Sequence, residues 1–167
     1  MQSQIWWTKR KFPGQIAIVA RPRGGDWLED ETQSWANSGL DAVVSLLTNE
    51  EMIDLDIERE AELSAAAGLK FYNFPITDRD VPKSRAEVLN LIAKLEKLLL
   101  TGKNVGIHCR QGIGRSALIA AALFVAFDVD AATAFREISE ARGLIVPETA
   151  EQHDWLVEFA AENVLAY

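Results

Sequence analysis

Nine residues, His108-Cys109-Arg110-Gln111-Gly112-Ile113-Gly114-Arg115-Ser116, bring together types whose spacing could do chemistry. They join an apolar strand, Asn104 to His108, to an apolar helix beginning near Gly114. A thiol at a strand end, five loop residues and an arginine at a helix start put a nucleophile at the floor of a ring of backbone N–H groups. Such a ring binds an oxyanion. Gly112 and Gly114 let the amides of Arg110, Gln111, Gly112, Ile113 and Gly114 turn inward, and the helix N-terminus adds partial positive charge on the same side. The planar fork of Arg115 can grip two phosphate oxygens. The same field favours the thiolate of Cys109, which is the nucleophilic form. Ser116 can donate a hydrogen bond to the sulfur and ease its departure when a cysteinyl-phosphate is hydrolysed. His108 reads as a tether for loop carbonyls rather than as a proton acceptor.

Transfer of a phosphoryl group to a thiolate leaves an alkoxide or phenoxide to expel, so a proton donor is required on the far side of the phosphorus. A loop carboxylate is the natural choice. The polar segment Ile76-Thr77-Asp78-Arg79-Asp80-Val81, held between Pro75 and Pro82, offers two. On an extended segment Asp78 and Asp80 could both face the site, so alternation does not choose between them.

The nine residues resemble the His-Cys-x5-Arg-Ser signature of the cysteine-dependent protein tyrosine phosphatase superfamily, in its dual-specificity and cyclin-dependent-kinase-associated branch. Phe74-Pro75-Ile76-Thr77-Asp78, with Pro82 following, looks like the general-acid loop of the same branch. The resemblance covers roughly residues 13 to 160. It implies that Asp78 is the acid and later the base toward water, with Asp80 as runner-up. It also implies, through Arg142-Gly143 and a glutamine near the last helix, that Gln152 orients the hydrolytic water; a capping role fits Gln152 equally. The implied substrate is a phosphorylated protein, phosphotyrosine first and phosphoserine or phosphothreonine besides, with no cofactor and no metal. The loop departs from many relatives in having Arg110-Gln111 after the cysteine where they carry small residues. A phosphoinositide or an RNA 5′ phosphate would favour extra lysines beside the loop, which contains only Arg110. A non-catalytic phosphate-binding module is the remaining alternative, and the presence of Cys109, Arg115 and Asp78 together weighs against it.

The elements that must position these groups follow from periodicity and caps. Gln15 to Ala20 and Leu69 to Phe74 read as strands, and Ala42 to Leu47 as a strand buried on both faces. Asp26 is expected to cap a helix stopped at Gly39, and Asp56 to Ala67 to form another stopped at Gly68. Ser84 and Glu87 have capping-box spacing at the head of a helix whose stripe is Val88, Leu91, Ile92, Leu95, Leu98 and Leu99. The helix from Gly114 to Phe127 is apolar nearly all round and should be central. Asp130 is expected to cap the next, which ends at Gly143, and Pro147 to start the last, with Gln152, Trp155, Leu156 and Phe159 on one face. Trp155 reads as core and His153 as exposed. Residues 1 to 12 read as an irregular arm packed on the body. The whole is expected to be one domain over 1–167, an α/β fold with a small, largely parallel central sheet and helices on both faces.

At 167 residues and 49% hydrophobic composition the chain can bury a substantial core. A net charge of −8 disfavours nucleic-acid backbones and anionic membrane surfaces as partners, so any attraction for phosphate must be local. The longest apolar run, Ala117 to Phe127, falls well short of the roughly 20 residues needed to span a bilayer. No signal-peptide pattern opens the chain, since Trp6-Trp7 is followed by Lys9-Arg10-Lys11. The expectation is a cytoplasmic monomer. A single cysteine excludes an intrachain disulfide and a multi-cysteine metal site.

Overall fold

A computed structural model of the chain describes residues 4–165. Its sheet has the order β1-β2-β5-β3-β4, formed by β1 (Ile5–Lys11), β2 (Gln15–Val19), β3 (Ala42–Ser45), β4 (Lys70–Asn73) and β5 (Val105–His108). Every neighbouring pair is parallel except β1 with β2. The helices are α1 (Leu28–Asn37), α2 (Asn49–Asp54), α3 (Glu60–Ala66), α4 (Arg85–Leu100), α5 (Arg115–Ala126), α6 (Ala131–Arg142) and α7 (Ala150–Leu165). This is the expected α/β fold with a largely parallel sheet.

Side chains alternate across the strands, so each strand feeds two layers. Ile16, Ile18, Ala42, Val44, Val105 and Ile107 join the main core with α4, α5, α6 and α7. Val19 and Val43 face the other way, onto Trp35 of α1 with Leu40 and Leu69. Gly106 sits on that second face. A Cβ there would come within 2.7 Å of Val19 and 3.1 Å of Leu40, so glycine is what lets this layer close on the central strand. On the other side α5 is buried from Arg115 through Val125. Each large apolar side chain it hides contributes about 1.5–3 kcal/mol relative to exposure. That burial fixes the first turn of α5 against the end of β5. Because β5 lies between β2 and β3, the loop leaving it opens at the carboxyl end of the sheet, where parallel α/β folds form their crevices.

Several elements differ from the sequence reading. Residues 5–11 are not an irregular arm but the antiparallel edge strand, while residues 1–3 lie outside the described residues. Their alternation was masked by the basic run: Trp6 packs on the main core and Trp7 on the second layer, and Lys9, Arg10 and Lys11 guard the exposed edge. Asp26 does not cap α1; it lies inside a 3₁₀ turn, Gly25–Trp27, pinned by the Gly25 N–H on the Asp56 carbonyl at 2.9 Å. Asp56 is left-handed, with φ at 55°, and α3 starts only at Glu60. The short helix α2 has no buried residue and hence no apolar periodicity to read, yet Thr48 and Glu51 form a full capping box at its start. The last helix begins at Ala150 rather than Pro147, because Thr149 accepts from the Gln152 N–H at 3.1 Å and Gln152 Oε1 accepts from the Thr149 N–H at 3.2 Å. The caps at Ser84 and Asp130 and the stop at Gly143 are as expected.

Candidate active site

The Cys109 sulfur is buried where β5 hands over to the loop. It lies 3.3 Å from Ser116 Oγ, and the Gly112 N–H donates to it at 3.3 Å. Among the described residues, no protein acceptor takes up the N–H groups of Gln111, Ile113 or Gly114. The carbonyls of the same loop are occupied. Arg142, the last residue of α6, donates from Nε to the Gly112 carbonyl at 3.0 Å and from Nη2 to the Gln111 carbonyl at 3.2 Å. Its guanidinium in turn sits 3.8 Å from the centre of the Trp6 ring. Burial lowers the Arg142 pKa from its ordinary value, against the opposing charge of Cys109. With the carbonyls drawn outward, the amides are left facing in. Gly112 makes this possible with φ at 71°, a conformation glycine adopts without strain.

Behind the sulfur, His108 is fully buried with Nε2 at 2.5 Å from Glu60 Oε1 and Nδ1 at 3.4 Å from the Cys109 carbonyl. Both ring nitrogens are thus engaged away from the thiol, which matches a tether and leaves none to act as its base.

Arg115 opens α5 and is buried, but it does not stand alone. Nη1 donates to Glu51 Oε1 at 2.7 Å and to the Ile76 carbonyl at 2.8 Å; Nη2 donates to Glu51 Oε2 at 2.9 Å and lies 3.2 Å from Asp78 Oδ1. Its Nε–H makes no hydrogen bond within the protein. Burial works against the charged guanidinium, yet the Glu51 hydrogen bonds and the charges of Cys109, Glu51 and Asp78 hold its pKa above the ordinary arginine value. Burial likewise opposes ionisation of Glu51, and the bonds from Arg115 and from the Thr48 backbone outweigh it, leaving its pKa below the ordinary 4.5. A depressed carboxylate stabilises the fold above its unfolded value and loses that contribution as pH falls through the folded one. Wild type should therefore melt above Glu51→Gln at neutral pH, with the gap closing as pH drops below 4.5; a gap independent of pH in thermal melts would show that Glu51 acts through packing alone.

The two acidic candidates part company at Arg79, which is left-handed with φ at 64° in a turn closed by the Asp80 N–H on the Thr77 carbonyl at 3.0 Å. The segment is not extended, so the reason for leaving the choice open does not hold. Asp78 is exposed and reaches Arg115, whereas Asp80 turns away and accepts from the Val81 N–H at 2.8 Å.

Residues 18–128 match the family described as "Polymorphic toxin system, DSP-PTPase phosphatase". The chain belongs to this phosphatase family. The DSP-PTPase chain is also 25% identical over 142 residues to cyclin-dependent kinase inhibitor 3 of Rattus norvegicus, covering 84% of this chain and 66% of that protein. Its identity to the Homo sapiens protein of the same name is 24% over 134 residues, covering 79% and 63%. It therefore spans a little under two thirds of these curated relatives. Among solved structures, kinase associated phosphatase with its catalytic-site cysteine substituted to serine superposes with a TM-score of 0.85 at 20% identity, covering 98% of this chain and 97% of that one. Tk-PTP in its active form gives 0.76 at 26% identity, covering 93% and 97%. The cysteine-dependent, dual-specificity reading of the signature loop is the correct family.

Sequence reasoning missed Glu51, Glu60 and the positioning arm of Arg142 in this DSP-PTPase. Glu51 had a signal, the Thr48-x-x-Glu51 spacing of a capping box. Glu60 and the Trp6–Arg142 stack had none, since they depend on contacts 48 and more residues apart in the chain. Gln152 lies buried beside Gly114, with Nε2 donating to the Asp80 carbonyl at 3.1 Å and Oε1 capping α7. His153 is exposed, and Trp155 is partly buried and stacked on Phe159, as expected.

Proposed function

We propose that this DSP-PTPase chain hydrolyses phosphomonoesters on proteins, phosphotyrosine first and phosphoserine or phosphothreonine besides, through a cysteinyl-phosphate. The observation that carries the reading is a single loop holding the Cys109 sulfur against the Gly112 amide and the Ser116 hydroxyl, with Asp78 on the Arg115 guanidinium opposite. In the first half-reaction the thiolate electron pair forms the S–P bond as the ester P–O bond breaks, and the Asp78 proton goes to the leaving oxygen. In the second, water attacks phosphorus and gives a proton to Asp78; the S–P bond breaks, and the thiolate leaves under the Ser116 hydrogen bond. Arg115 and the inward amides stabilise the charge that develops on the phosphoryl oxygens, so the chain's own groups suffice without a metal. Gln152 is the residue the family resemblance would give to the hydrolytic water; in this fold it also holds the acid loop.

The names of the curated relatives, cyclin-dependent kinase inhibitors, support a protein as the partner. So does the cleft beside the loop, where Glu50, Glu51 and Asp78 stand with Arg110. With Arg115 paired to Glu51 and Asp78, three carboxylates meet two guanidinium groups, so the cleft lacks the excess of positive charge that favours a polyanionic lipid headgroup or nucleic acid. No helix among the described residues is long and apolar enough to cross a membrane. A cytoplasmic location suits a reaction that depends on a reduced thiol.

A panel of phosphopeptides, phosphoinositides and nucleotides, assayed with and without a chelator, tests the proposal. Phosphotyrosine peptides should be turned over with the highest kcat/KM, unchanged by chelation. Preference for a phosphoinositide or nucleotide, or a loss on chelation restored by one divalent ion, would overturn it. Arg115→Lys should lower kcat/KM on the best peptide by more than about tenfold, or about 1.4 kcal/mol, because a point charge cannot reproduce the bidentate grip. A smaller effect would reduce Arg115 to a structural partner of Glu51.

A further inference from the structure

The loop that carries Asp78 is fastened at two adjacent residues, one to the connection between α6 and α7 and the next to the first turn of α7. Arg79 Nη1 donates to Glu148 Oε1 at 2.6 Å, and the next carbonyl, that of Asp80, accepts from Gln152 Nε2 at 3.1 Å. Both partners press on the signature loop. A Cβ at Gly114 would lie 3.0 Å from Glu148 Oε2 and 2.9 Å from Gln152 Oε1. Arg79 itself holds a left-handed backbone, and a non-glycine residue keeps that conformation only where its surroundings hold it. That conformation is what sends Asp78 toward Arg115 and Asp80 away from it. The Arg79 side chain is 61% exposed, so its ion pair adds little to the stability of the fold.

We infer that the Arg79–Glu148 ion pair is a latch that fixes the Asp78 carboxyl over the signature loop, making Arg79 and Glu148 positioning residues for the protonation of the leaving group. The inference rests on the reading of Asp78 as the acid. A carboxyl displaced by about an ångström loses much of its catalytic effect, while the Cys109 sulfur keeps its contacts with the Gly112 amide and the Ser116 hydroxyl. On kcat/KM, which reports formation of the cysteinyl-phosphate and not its hydrolysis, the loss therefore falls on leaving groups that need a proton and spares those that do not.

The test is a double-mutant cycle of Arg79→Ala and Glu148→Ala, with kcat/KM measured on an unactivated alkyl or phenyl phosphate and on an activated aryl phosphate. Each single variant should lose about three- to tenfold on the poor leaving group and little on the activated one, and the double variant should lose no more than either single. Equal losses on both substrates, or additive losses, would overturn the latch. A loss confined to breakdown of the cysteinyl-phosphate, seen as a burst, would show that the pair serves the attack of water and not protonation of the leaving group, and would overturn it too. Should an alanine variant fail to fold, Arg79→Met and Glu148→Gln carry the same cycle. Rising salt should also lower wild-type kcat on the poor leaving group and leave the double variant unmoved, since a largely exposed ion pair is screened; an identical salt response in both would again sink the latch. Asp78→Asn separates the two readings. If it shows no dependence on the leaving group, the assignment of the acid fails; if it does while the cycle is additive, only the latch fails.

Discussion

Cys109→Ser should show no measurable turnover on any phosphomonoester while still binding a phosphate mimic such as tungstate. The hydroxyl of serine is a far weaker nucleophile at neutral pH than a thiolate, and an arginine near a helix N-terminus does not ionise it. Binding survives because its donors lie elsewhere: the loop amides are oriented by Arg142, and the guanidinium of Arg115 by Glu51. Neither arrangement involves the sulfur, and serine replaces a side chain that is already in contact with Ser116 Oγ and the Gly112 amide. Calorimetric titration with the oxyanion, beside a phosphatase assay, reads both halves of the result. Turnover like that of wild type would show that the thiol is not the nucleophile; lost oxyanion binding in a folded variant would show that the sulfur shapes the loop.

Asp78→Asn should lower kcat by about 10²- to 10⁴-fold on a poor leaving group, the range a positioned general acid supplies, and by less on an activated aryl phosphate. It should also abolish the fall of kcat at alkaline pH, because asparagine has no proton to lose there. Asp80→Asn should keep that alkaline limb, since the Asp80 carboxylate is spent on the Val81 N–H and it is the backbone N–H and carbonyl of Asp80 that take part in holding the loop. An amide oxygen can accept the same bond, so the turn should persist. pH profiles of kcat for the two variants decide the matter: if Asp80→Asn loses the limb and Asp78→Asn retains it, the acid has been assigned to the wrong residue.

Much of this site was legible in the chain because its chemistry is local. A nucleophile, an oxyanion ring and a guanidinium fit into one strand-to-helix turn, so Cys109, Arg115 and Ser116 announce themselves by spacing alone. The strands and the long helices were legible for a related reason: burial on one face writes a period into the sequence, as it does along Val88 to Leu99. What stayed hidden lacked either property. Helix α2 is short and has no fully buried residue, so it leaves no stripe, although it delivers Glu51 to Arg115. The edge strand was concealed by three basic residues that protect its open side. The different contacts of Asp78 and Asp80 follow from one backbone angle at Arg79, a residue type that gives no warning of a left-handed conformation.

Trp6 begins an account that the nine signature residues cannot give by themselves. The carbonyls of Gln111 and Gly112 are turned outward by an arginine at the end of α6, and that arginine is seated on a tryptophan of the edge strand. The motif is contiguous, but the forces that shape it come from segments more than a hundred residues apart. Transplanted to the strand–helix junction of another α/β scaffold, the same nine residues would carry over the thiol and the guanidinium without the means of orienting the peptide planes between them. Such a graft would reproduce the string and not the anion hole, and the smallest unit worth moving is the loop together with β1 and the end of α6.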